Sequence, residues 1–81
     1  MLSMMSQEKQ LAAIVHFQSQ CIVSYSKLAK ISITESAKLF KKYNILEYIS
    51  ICYEYLHLHD VDYIVKYDIA ERLKKGLYYS I

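Results

Sequence analysis

Apolar and polar positions along the chain fall into four helical patterns separated by short breaks. The first covers residues 7–30, where Leu11, Ile14, Val15, Cys21, Ile22, Tyr25, Leu28 and Ala29 recur at the spacing of one helix face. Lys9, His16, Gln20 and Lys27 fall on the opposite side. At 1.5 Å per residue such a helix is roughly 36 Å long, the spine of a chain this short. Gln18 is the polar residue on the apolar stripe, and a core glutamine with its amide satisfied is the expectation there.

The second pattern, 33–43, opens on Ser32-Ile33-Thr34-Glu35. This is a capping box: the serine hydroxyl accepts from the backbone N–H three residues on, and the glutamate reaches back. Ile33, Ala37, Leu39, Phe40 and Tyr43 form the expected buried side, with Lys38, Lys41 and Lys42 towards solvent. Asn44 marks a tight corner, either by ending one helix in the left-handed conformation or by capping the next. In the third pattern, 45–58, the polar residues Glu47, Ser50, Glu54 and His57 fit a sector of about 80°. A helix apolar over the rest of its circumference is either central or covered by a partner.

His59-Asp60-Val61-Asp62 reads as a loop, and Tyr63-Ile64-Val65-Lys66-Tyr67 is the strand-prone stretch, β-branched and aromatic. With no second strand to pair with, it is expected as an extended connector; addition to the sheet edge of a partner is the alternative. Asp68-Ile69-Ala70-Glu71 would cap a last helix, 69–79, with Ile69, Ala70, Leu73 and Leu77 on its apolar face and Gly76 weakening its end. The expected fold is therefore all-α. It is a single four-helix domain over residues 1–81, with a long N-terminal helix and a short extended segment before the last helix.

Composition agrees with this. One glycine and no proline in 81 residues all but exclude an all-β fold with its turns, and exclude glycine-rich phosphate loops. The formal charge of +2 demands neither nucleic acid nor membrane as an obligatory partner. Charge is segregated, however. Five lysines (Lys27, Lys30, Lys38, Lys41, Lys42) face one acid, Glu35, giving +4; residues 44–71 carry six acids against Lys66, giving −5. The N-terminal residues lack a basic start followed by an apolar run, and no apolar stretch reaches the ~20 residues of a membrane span, so a cytoplasmic protein is expected. Cys21 and Cys52, both among apolar neighbours, are expected as thiols packed as small hydrophobes.

Candidate chemistry is thin. His57 and His59, two apart, point about 200° apart on a helix and share no metal there. On an extended segment they could, with Asp60 or Asp62 adding a carboxylate, but histidine beside a helix C-terminus is the plainer reading. Glu47 and Glu54 share a solvated face, and neither cysteine has a histidine partner in sequence. No catalytic residue, metal or cofactor is expected, and the chain is not expected to be an enzyme.

The order of signals carries a resemblance. After the capping box comes Leu39-Phe40-Lys41-Lys42-Tyr43-Asn44-Ile45-Leu46-Glu47-Tyr48-Ile49, then Cys52-Tyr53, Leu56-His57, Tyr63-Ile64-Val65 and Asp68-Ile69. Over about residues 11–73 this resembles a family of small uncharacterised bacterial helical proteins often encoded beside a protein similar to ADP-ribosyltransferases. The resemblance implies a cognate protein partner and an antitoxin-like role. It transfers no catalytic residue, and it implies glycine where this chain has Asn44.

Nine tyrosines point the same way, because tyrosine supplies stiff contact area with a polar tip. The residues expected to bind a partner are Tyr48, Ile51, Tyr55, Tyr63, Val65, Tyr78 and Tyr79. The alternative is a small nucleic-acid-binding module resembling a helix-turn-helix, with Lys38, Lys41 and Lys42 as its basic patch. Self-association through the same apolar surface would give a homodimer.

Overall fold

The computed structural model describes residues 2–79, with side-chain surroundings given for residues 10–76. Helix α1, Leu2–Ala29, is the spine. It is followed by α2 (Ile33–Lys42), α3 (Ile45–Ile51), α4 (Tyr53–Leu56) and α5 (Val61–Ile64). A π-helical turn, Val65–Ile69, joins α5 to α6, Ala70–Tyr79. The described residues contain no strand.

The two predicted corners form as ordinary capping chemistry dictates. Lys30 leaves α1 at φ 58°, and Ser32 accepts the Glu35 N–H on its hydroxyl at 3.0 Å, the forward half of the capping box. Asn44 takes the left-handed option at φ 60°, ψ 28°, and its side chain makes no capping bond. Gln18 is satisfied as expected: Nε2 donates to the Leu46 carbonyl at 2.8 Å and to Ser50 Oγ at 3.1 Å, tying α1 to α3.

The interior gathers one or two residues from each element: Phe17 and Cys21 of α1, Phe40, Ile45 and Ile49, Leu56, Ile64, Val65 and Ile69, and Leu73. Two serines are enclosed with them where α1 meets α2. Ser36 Oγ donates to the Ile22 carbonyl at 2.8 Å, and Ser26 Oγ to the Val23 carbonyl at 2.7 Å. A small side chain with a local acceptor lets the two helices approach without leaving a buried hydroxyl unpaired.

Four expectations are corrected. The buried face of α1 is rotated from the predicted stripe: Phe17 is in the core, while Leu11, Val15 and Leu28 are exposed. Ile33, expected on the buried side of α2, is exposed too. The third helix is not continuous over 45–58. It breaks at Cys52 (φ −101°, ψ 13°), whose carbonyl then accepts from Tyr55 and Leu56, so that the α4 side chains are re-aimed and Leu56 reaches the core. Finally, residues 63–67 are helical and not extended. Asp60, read as loop, is an N-cap that accepts the Tyr63 N–H at 3.4 Å and starts α5. The π turn follows, with the Ala70 N–H reaching back to the Val65 carbonyl. Its extra residue lets Ile64, Val65, Ile69 and Leu73 all point inward, and this burial overrides the β-propensity of the segment. Asp68 lies inside that turn and so caps no helix.

Gly76 has a packing reason. A Cβ there would stand 2.8 Å from Cδ1 of Tyr43, so the bare backbone of α6 is what accommodates the ring.

The contrast between Phe40 and Ile33 is testable by urea unfolding. Phe40→Ala should lower stability by about 3–5 kcal/mol, as for a filled core site. Ile33→Ala should change it by no more than ~0.5 kcal/mol, as for an exposed position.

Candidate functional surface: an aromatic column and an arginine cluster

Two constructions stand out on the surface. The first is a column of rings. The break at Cys52 and the cap at Asp60 bring α4, the turn after it and α5 into one succession, so that side chains four apart meet. Tyr55 and His59 meet edge to face at 5.1 Å, His59 and Tyr63 stack at 6.0 Å, and Tyr63 and Tyr67 lie 4.9 Å apart. Lys66 Nζ stands 5.4 Å from the centre of the Tyr67 ring. These rings face water. Tyr55, Tyr63 and Tyr67, with Ile51 and Leu58 of the same segment, are 54–75 % exposed. Exposed apolar residues scattered singly are ordinary; here five lie within seventeen residues of chain.

A second, separate stack reaches from the core to the surface. Phe17 meets Tyr53 edge to face at 5.8 Å, and Tyr53 stacks on His57 at 4.6 Å. His57 Nδ1 lies 2.7 Å from the Tyr53 carbonyl, and since a carbonyl only accepts, that nitrogen carries the proton. His57 thus sits at the C-terminus of α4, as the plainer sequence reading had it, and the two histidines belong to different stacks. Acids flank the column: Asp60 caps α5, Asp62 accepts from Ser24 at 2.6 Å, and Glu54 accepts from Gln10 at 2.9 Å. Residues 51–67 carry these three acids against Lys66, a formal charge of −2 for the segment.

The second construction is a closed cycle of three side chains. Tyr48 donates its hydroxyl to Asp68 Oδ2 at 2.5 Å, Arg72 Nε donates to Asp68 Oδ1 at 2.8 Å, and the guanidinium carbon lies 3.6 Å over the Tyr48 ring. The π turn is what aims Asp68 at α3. Burial first, and then the hydrogen bond to Asp68, push the Tyr48 phenol from its ordinary 10.0 up to about 12. Burial alone pushes the Cys21 thiol up to about 12, so it is a protonated core group at neutral pH. Both cysteines are free thiols.

Of the residues expected to meet a partner, Ile51, Tyr55 and Tyr63 are on this exposed segment. Tyr48 is half-buried in the arginine cluster instead, and Val65 is 1 % exposed, a core residue with no surface to offer. Tyr78 and Tyr79 lie outside the described side chains. Lys38, Lys41 and Lys42 are exposed on α2, and Lys42 Nζ stands 5.4 Å from the Tyr43 ring centre. Sequence reasoning missed His59 and Tyr67. Their signal was present as the four-residue spacing of positions 51, 55, 59, 63 and 67.

Fold and surface together describe a small all-helical domain that carries an exposed column of rings. The chain belongs to DUF3791, described as a protein family of unknown function, which it matches over residues 16–75. No curated protein and no solved structure gives a significant match. No helix among the described residues is long and apolar enough to cross a membrane.

The raised Tyr48 value fixes a sign. A phenol that titrates near 12 when folded and near 10.0 when unfolded stabilises the fold fully below pH 10, and this contribution is lost as pH rises towards 12. Thermal melts across that window should show a shallower loss of stability in Tyr48→Phe than in the natural chain.

Proposed function

We propose that this protein acts by binding another protein chain, with the column of Tyr55, His59, Tyr63 and Tyr67 as the centre of contact. The observation that carries this reading is the exposure of three tyrosine rings, Tyr55 joined to Tyr63 through His59 and Tyr63 to Tyr67, on a segment of net negative charge. Tyrosines in such a column are held by their neighbours before a partner arrives, so less side-chain freedom is lost on binding. The face suits a partner with an apolar centre and basic rim, whose cations would also gain from the faces of the rings.

The partner we propose is the ADP-ribosyltransferase-like protein that the family resemblance implies, occluded in the manner of an antitoxin. Support for that choice is the resemblance alone; support for the binding face is the geometry. The helix-turn-helix alternative gains less. α3, the helix that would enter a groove, contains no lysine or arginine and spends Ile45 and Ile49 on the core.

Co-expression with the ADP-ribosyltransferase-like neighbour, followed by size-exclusion chromatography with light scattering, tests the proposal. A single complex peak is expected, and Tyr63→Ala and Tyr67→Ala should each weaken it at least tenfold while leaving the circular dichroism of the free chain unchanged. Separate peaks at micromolar concentration would contradict the choice of partner. A dimer of this chain alone, broken by the same substitutions, would assign the face to self-association instead.

A further inference from the structure

Nine of the ten cationic residues in this chain are lysines, and Arg72 is the single arginine. It is also a cation held in place from two sides, by Asp68 through Nε and by the Tyr48 ring beneath the guanidinium plane. Exposed ion pairs one helical turn apart contribute little to stability. A pinned guanidinium that is still half exposed, with a side-chain exposure of 49 %, is instead the arrangement that presents a fixed fork of N–H donors to solvent.

What it faces is a cleft of about 380 Å³ between the Asn44 corner and α6. Lys75, one turn further along α6, lines the same cleft, and the ring of Tyr43 forms another wall. Arg72 and Lys75 are the two cations of this lining. Gly76 lets the Tyr43 ring pack directly against the backbone of α6, which forms the floor between the corner and the helix. The left-handed corner leaves the Asn44 amide exposed and unused as a cap. None of the lining residues is acidic, and Asp68 stands outside the lining with one oxygen on Arg72 and the other on Tyr48. It orients the guanidinium without occupying the cleft.

We propose that this cleft binds a phosphate group, with Arg72 and Lys75 as its charge partners and the Asn44 amide as a further donor. A phosphate carries up to two negative charges and three acceptor oxygens, which suits two converging cations of which one is a planar fork. A carboxylate, with one charge and two acceptor oxygens, matches the pair less fully. The site is separate from the aromatic column and does not depend on the identity of a protein partner.

The test is an amide-shift titration of the isotope-labelled chain by NMR, at constant ionic strength, with inorganic phosphate, phenyl phosphate and acetate as probes. Saturable shifts at Asn44, Lys75 and Gly76 in the millimolar range are expected for both phosphates, with acetate at least tenfold weaker. Tighter binding of phenyl phosphate assigns the cleft to an ester, and equal binding to the free ion; both support a phosphate site. Lys75→Gln, an exposed change that leaves the Tyr48–Asp68–Arg72 cycle intact, should weaken binding at least fivefold, as should Arg72→Gln, whereas Lys38→Gln should not. Shifts that rise linearly over all surface lysines, acetate binding as tight as phosphate, or affinity unchanged in Lys75→Gln would overturn the proposal.

Discussion

The seating of Phe17 and Cys21 of α1 against Phe40, Ile49 and Leu56 is the contact on which the rest depends. Every later element is short, and none of α3, α4 or α5 exceeds seven residues. Isolated helices of that length are not stable in water, so each exists because it packs on the spine or on a neighbour that does. An interior built this way is one side chain deep. Among the described residues it encloses ten apolar side chains, and a chain that is 54 % hydrophobic has many more to place. The surplus is not spread evenly. Part of it lies on α1 and at Ile33, and the largest share is on the segment from Ile51 to Tyr67, where the core takes Leu56, Ile64 and Val65 and leaves Tyr55, Tyr63 and Tyr67 outside.

The π turn couples the two surface constructions. By inserting one residue between Val65 and Ala70 it keeps Ile64, Val65, Ile69 and Leu73 on the core side, and at the same point it directs Asp68 towards Tyr48 and Arg72. Tyr67, the last ring of the column, and Asp68, which holds Arg72 beside the cleft, both lie within this turn. Such departures are common at functional positions, because they re-aim side chains that regular geometry would misplace.

Much of the fold was legible in the sequence because its signals were local. Ser32 and Glu35 announce a helix start, Asn44 a tight corner, and the absence of proline a helical chain. The buried face of α1 was legible only in part: Cys21, Ile22 and Tyr25 of the predicted stripe meet the core. Its apolar residues encircle much of the helix, and only the positions of α2 and α3 decide that Phe17 goes inside while Leu11 and Val15 stay out. The stretch at residues 63–67 was misread because β-branched and aromatic residues favour strands when judged alone, whereas here Asp60 caps a helix and the core rewards its period. That one misreading hid the surface: with residues 59–62 taken as loop and 63–67 as extended, the spacing of four from Ile51 to Tyr67 had no helix to sit on.

The central claim is that Tyr55, Tyr63 and Tyr67 are open to solvent in the free chain and closed off once a partner is bound. Photochemically induced nuclear polarisation of tyrosine rings, which requires access of a dye to the phenol, measures this directly. In the free chain these three rings should polarise strongly and the half-buried Tyr25, Tyr43, Tyr48 and Tyr53 weakly, with the strong signals quenched on complex formation. Rings of Tyr55, Tyr63 and Tyr67 silent in the monomer, or equally bright with the partner bound, would contradict the account.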